Sequence, residues 1–377
     1  MKKEAVKFLV VVIMSLFSFY ACSDNANNPT DVKLNKSAVN NQNSAPNATV
    51  TTFATGFNNP RGLEFGPDGY LYVAEGGSGG SDSSTQCDQV IPPIGPYKGG
   101  FTSKISKISP TGIASTVVDN LPSDQTSKES GFLVSGVADV AFIGNTLYGI
   151  EAGAGCSHGL EGTDNTVFRV NGEGSTTTIA NLSEYQKANP VANPEEDDFE
   201  PDGTWYSMIS LRGDLYAVEP NHGELVRVTT SGNISRVTDV SATQGHIVPT
   251  ALAYHGNFYF GNLNTFPIVP GSSGIYKVTP SGQILKWADG LTTVVGLAFD
   301  NKDKIYVLEM STAPGGPTPN TGKVIRILPS GQKEEVATGL FFPTGMTMGP
   351  DGNLYVSNKG FGLPPAGMGE ILKITLN

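Results

Sequence analysis

Apolar and polar positions alternate in short runs along most of this chain, and the runs come in pairs. Residues 59–75 read NPRGLEFGPDGYLYVAE, and residues 342–358 read FPTGMTMGPDGNLYVSN, with nine of the 17 positions identical. Alternation at period two puts the apolar side chains on one face of a pleated strand. The Pro-Asp-Gly between the runs supplies a preset φ, a side chain that bonds its own backbone, and a residue free to take positive φ. Each stretch is therefore predicted as a β-hairpin.

Four weaker copies lie between these two, at residues 136–151, 205–219, 248–262 and 294–309. A second turn series interleaves with the first: Ser109-Pro110-Thr111-Gly112, Gly172-Glu173-Gly174, Thr230-Ser231-Gly232, Pro280-Ser281-Gly282 and Pro329-Ser330-Gly331, each between strand-like runs. A two-hairpin unit recurring at this spacing marks a propeller or solenoid. The sixth unit ends at residues 371–376 (ILKITL) without a fourth strand, and residues 49–55 (TVTTFAT) supply one. Closing a ring with strands from both termini removes its open edge. The predicted fold is all-β, a six-bladed β-propeller of four-stranded blades over residues 49–377, its last blade closed by the N-terminal strand.

The N-terminus departs from this pattern. Lys2, Lys3 and Lys7 precede an apolar run over residues 8–19 that is short for a membrane span, and the run ends before Ala21-Cys22. Residues 1–22 are expected to be a lipoprotein-type signal peptide with Cys22 as the lipidated residue, an ordinary cleaved signal being the alternative. Residues 23–48 are rich in Asn and Ser and lack a period, which predicts a disordered tether reaching on the order of 30 Å. The expected location is extracytoplasmic, and Ser23 after Cys22 favours the outer membrane or cell surface. The net charge of −11, made more acidic by loss of a lysine-rich leader, excludes nucleic acid as a natural partner. The membrane is met only through the lipidated N-terminus. Cys87 and Cys156 fall in equivalent loops of neighbouring units and suit a disulfide in an oxidising compartment, with two unpaired thiols as the other possibility.

Because strand direction alternates, one rim of the ring receives only short turns. The other receives every long insertion, which marks it as the working face. Six residues end the second strands there: Glu75, Glu151, Glu219, Asn262, Glu309 and Asn358. Such a ring could hold Ca²⁺ or funnel a polar ligand, Glu75, Glu151, Glu219 and Glu309 being the candidate metal ligands. Alternatively, each side chain bonds backbone at the blade edge. Arg61 is the charged residue at the start of an innermost strand and is a candidate anion clamp or structural ion-pair partner. His222 is the best placed histidine for acid–base work, with a solvated loop histidine as the other reading. The acidic run at residues 194–203 fails the EF-hand template, since its twelfth position is Ile209, and reads as a solvated loop.

The order of motifs resembles the ScyD/ScyE family associated with scytonemin biosynthesis, related to NHL-like and SMP-30/gluconolactonase-like propellers. The carrying residues are Asn59-Pro60-Arg61-Gly62, Gly66-Pro67-Asp68-Gly69, residues 182–190 (LSEYQKANP), Asn264-Thr265-Phe266-Pro267 and Gly367-Met368-Gly369-Glu370. The resemblance implies a secreted propeller and supplies no catalytic residue. The lactonase-like group holds a metal with acids at innermost strand starts, where this chain has Arg61, Ala138, Tyr206, Thr250, Val295 and Thr344. The expected function is binding of a small molecule, glycan or protein on the loop-rich face. The alternative is a metal-assisted hydrolase, lactonase or lyase.

Overall fold

The computed structural model describes residues 48–131, 133–194, 200–363 and 365–376. The expected leader, Cys22 and all but the last residue of the expected tether lie outside them. Among the described residues no helix is long and apolar enough to cross a membrane.

Six antiparallel sheets form the blades. Their innermost strands, in blade order, are Pro60–Phe65, Val137–Ile143, Ser207–Leu211, Pro249–Tyr254, Val294–Phe299 and Gly345–Met348. Each packs beside the next, and that of blade 6 returns to blade 1, so the ring is closed. Blade 6 takes its outermost strand, Ala48–Phe57, from the start of the fold, paired with Gly369–Leu376 in the register Ala48↔Leu376 to Phe57↔Gly369. Blade 1 departs from the four-strand rule, since a two-residue strand, Val134–Ser135, pairs with its outer strand Ala114–Gln125.

Second strands such as Leu71–Glu75, Ile305–Glu309 and Leu354–Asn358 are buried at every position, because blades cover both of their faces. Outer strands such as Ile284–Leu291 are largely exposed, with only Leu291 buried. The hairpin turns follow from their residues. Gly69 and Gly352 take φ of 80° and 74°, and Asp68 and Asp351 each accept the backbone N–H two residues on, at 3.2 Å. Glycine, having no Cβ, adopts that φ without steric cost.

The short helical elements are not read from periodicity. Leu182–Ala188 is a short α-helix, capped by the Asn181 side chain, which accepts the Glu184 N–H at 3.0 Å. At seven residues it is too brief to show a helical period.

Candidate functional site

The six strand-end residues do converge on the loop-rich rim, and all six are buried. Glu75 accepts the Asn58 N–H at 2.7 Å, Glu219 the Thr204 N–H at 2.8 Å, and Glu309 the Thr292 N–H at 2.6 Å. Asn358 accepts from Phe341 N–H at 3.0 Å, while Asn262 donates to Ile247 O at 3.0 Å and accepts from Gly274 N–H at 2.8 Å. Five of the six thus grip the segment that leads into their own innermost strand. Glu151 instead receives the N–H groups of Ala152 and Gly153, and burial, reinforced by the Asp124 charge, pushes it up to about 8. Among the described residues, no group of three or more His, Cys, Asp or Glu side chains is arranged to hold a metal ion.

Beside Glu151 the loops of blades 1 to 3 enclose a polar network. His158 is fully buried, with Nδ1 on Asp124 and Nε2 on Gly203 O. Both ring nitrogens face acceptors, so the imidazolium form satisfies both. Burial alone would lower its pKa, but the Asp124, Glu200 and Asp202 carboxylates carry it up to about 9. Glu200 and Asp202, expected in a solvated loop, are buried here. Tyr97 donates to Glu200, and Asp202 accepts from Ser157 N–H at 2.8 Å and pairs with Lys187. Hydrogen-bond donors and the His158 and Lys187 cations receive the two acids inside the fold. Residues 195–199 of that run lie outside the described residues. His222 is buried as well, not solvated, its Nε2 on Glu200 O at 3.0 Å and its backbone N–H on Glu219.

Cys87 and Cys156 are bonded, S–S 2.09 Å, and join the long loops of blades 1 and 2 across 69 residues. Replacing both with Ser is expected to cost about 4.4 kcal/mol in the loop-entropy account. Urea unfolding of the double variant measures this. A loss below about 1 kcal/mol would show that the network alone holds the loops, since such a loss is at the low end for a disulfide.

A cavity of about 390 Å³ runs through the centre of the ring, walled by the innermost strands. On the loop-rich side their starts close in. The Arg61 guanidinium lies over the Tyr206 ring, 5.0 Å from its centroid, and Tyr206 Oη donates to Thr344 O at 2.8 Å. Arg61, Ala138, Thr250, Val295 and Thr344 are all buried. The opposite strand ends, Leu211, Tyr254, Phe299 and Met348, are half-exposed, so the channel opens toward the rim of short turns.

Two carboxyl groups line it. Asp139 is buried and accepts from Met208 N–H and Val140 N–H, both at 2.8 Å, and from Ser207 Oγ at 3.2 Å. Burial raises it to about 7, against those donors and the Arg61 charge. Among the described residues Glu64 accepts only the Phe142 N–H, at 3.2 Å, and it is pushed up to about 8 by burial and by the Asp139 charge. Aligned copies of the innermost strand reveal both. Asp139 stands where the others have Gly62, Ser207, Ala251, Gly296 and Gly345; Glu64 stands where they have Ala141, Ile209, Ala253, Ala298 and Thr347. A Cβ on Gly62 would lie 1.9 Å from Asp139 Oδ1, so the glycine on blade 1 makes room for the acid on blade 2.

No family model matches the chain, and no curated protein does. Solved structures share its fold. A protein of unknown function from Bacteroides thetaiotaomicron superposes with a TM-score of 0.56 at 13% identity, over 88% of this chain and 76% of that one. A glucose dehydrogenase gives 0.54 at 14% identity, over 87% and 100%. The PQQ-bound aldose sugar dehydrogenase from Streptomyces coelicolor gives 0.53 at 13% identity, over 89% and 100%. At such identities the likeness is one of fold.

Proposed function

We propose that this chain is an extracytoplasmic, lipid-tethered propeller of the ScyD/ScyE type that binds a partner on its loop-rich face. The observation that carries this reading is where the ring is entered. Ala48 pairs with Leu376, beside Leu354↔Ile374 at the rim of short turns. A chain tethered through Cys22 would enter the ring at that rim and leave the elaborated rim free for a partner. Its loops are held by the Cys87–Cys156 bridge and the network around His158, which suits preformed recognition. Of small molecule, glycan and protein, a protein fits best. Exposed apolar tips at Ile91, Phe101, Phe266, Val269, Leu363 and Met368 come from blades 1, 4 and 6 and spread over a wide face.

Photo-crosslinking residues introduced at Phe266 and, separately, at exposed Ile113 on the short-turn rim test this in cells. Adducts at position 266 and none at 113 are expected, and Cys22→Ser is expected to release the protein from the membrane fraction. Equal adducts at both positions, or a Cys22→Ser protein that stays membrane-bound, would count against the reading.

A further inference from the structure

We propose that the central channel, separate from the loop-rich face, is a binding site for a small amine, its ammonium group on Glu64. The cavity's volume of about 390 Å³ is within the usual range for small-molecule sites. Its exposed wall is more polar than apolar, with Leu252, Leu297, Met346 and Met348 from three different blades among the residues that line it.

The charges in the channel do not balance. Two carboxyl groups line it, and its lining contains no lysine, arginine or histidine. The nearest cation, Arg61, sits on the ring of Tyr206 and acts on Asp139. Asp139 also has three hydrogen-bond donors of its own. Glu64 has one backbone N–H and no ion pair among the described residues. It faces the Asp139 charge from blade 2 and the Phe142 N–H beside it. A carboxyl group so placed stays protonated unless a positive charge joins it. A metal ion fits poorly, because only two acids are present and one is fully engaged. An ammonium group needs a single carboxylate, which accepts a charge-assisted hydrogen bond from it.

The probe is phenethylamine, with phenethyl alcohol as its neutral match, titrated calorimetrically into the full chain. Free Glu64, at about 8, is mostly protonated at pH 7, and pairing with ammonium draws it to the carboxylate. The expected result is release of close to one proton per amine bound at pH 7, read from buffers of different ionisation enthalpy. Affinity should rise about tenfold per pH unit from pH 6 toward 8 and level off above, as one-proton linkage requires. Glu64→Gln should weaken the amine at least tenfold and leave the alcohol unchanged. Proton release and the pH profile are read on the unaltered protein, so they decide the matter even if that variant does not fold. Amine and alcohol binding equally, amine binding without proton release, or no binding of the amine would overturn the proposal.

Discussion

A chain that begins at Asn58, lacking the strand Ala48–Phe57, is expected not to reach a stable folded state. That strand is the outer wall of blade 6 and the closure of the ring. Phe57 and Ala54 are buried in one apolar cluster with Leu63 and Leu71 of blade 1 and Tyr355 and Ile371 of blade 6. Losing the Phe57 side chain alone forfeits about 1.5–3 kcal/mol of burial. The Phe53–Tyr355 edge-to-face contact, with centroids 5.1 Å apart, adds about 0.5–1.5 kcal/mol. Each ladder hydrogen bond lost adds roughly 0.5–1.5 kcal/mol net. Together these approach the whole stability of a typical domain, about 5–15 kcal/mol. The truncation also bares Gly369–Leu376 as an unpaired edge, an invitation to aggregate. Soluble yield and thermal melting of chains beginning at residues 44 and 58 make the comparison. If the shorter chain melts within a few degrees of the longer, the ring does not depend on this strand.

The fold was legible because each of its signals is local and repeated. A glycine at positive φ beside an aspartate, as at Asp68-Gly69 and Asp351-Gly352, is read from neighbouring residues alone, and six hairpins at regular spacing imply the ring. The site was only half legible. The positions of the six strand-end residues follow from the repeat, but what their oxygens bond is decided by backbone that arrives from the preceding blade. The acidic run misleads for a similar reason. Charges on adjacent residues suggest a solvated loop, whereas Lys187, Tyr97, Ser157 and His158, all distant in sequence, draw Glu200 and Asp202 inside. Glu64 and Asp139 were within reach. Each is an acid in a column of small or uncharged residues, a signal visible only when the six innermost strands are laid over one another. Arg61 drew attention to the strand starts, while the channel's other charges stand one and three residues further along their strands.

Glu219→Ala is expected to destabilise the protein severely, whatever ligand the face binds. Glu219 is fully buried. One carboxylate oxygen accepts the Thr204 N–H at 2.8 Å and the other the His222 N–H at 2.5 Å. Removing the side chain leaves two buried backbone donors without acceptors, at about 1–3 kcal/mol each, for a total of about 2–6 kcal/mol. The first donor belongs to the segment that leads into the innermost strand Ser207–Leu211, so the loss should loosen blade 3 where it meets the channel. Glu219→Gln keeps one acceptor and places an amide N–H₂ against the other donor, so an intermediate loss is expected. The same clamp recurs at Glu75, Glu309, Asn262 and Asn358. Asparagine substitutes for glutamate in two of the blades, as a hydrogen-bonding role permits and a purely electrostatic one does not. Urea unfolding of the Ala and Gln variants decides between a clamp and a ligand. A clamp predicts losses in the order Ala above Gln. An alanine variant within about 1 kcal/mol of the parent, less than one unsatisfied buried donor costs, would mean that Glu219 serves a ligand and not the blade.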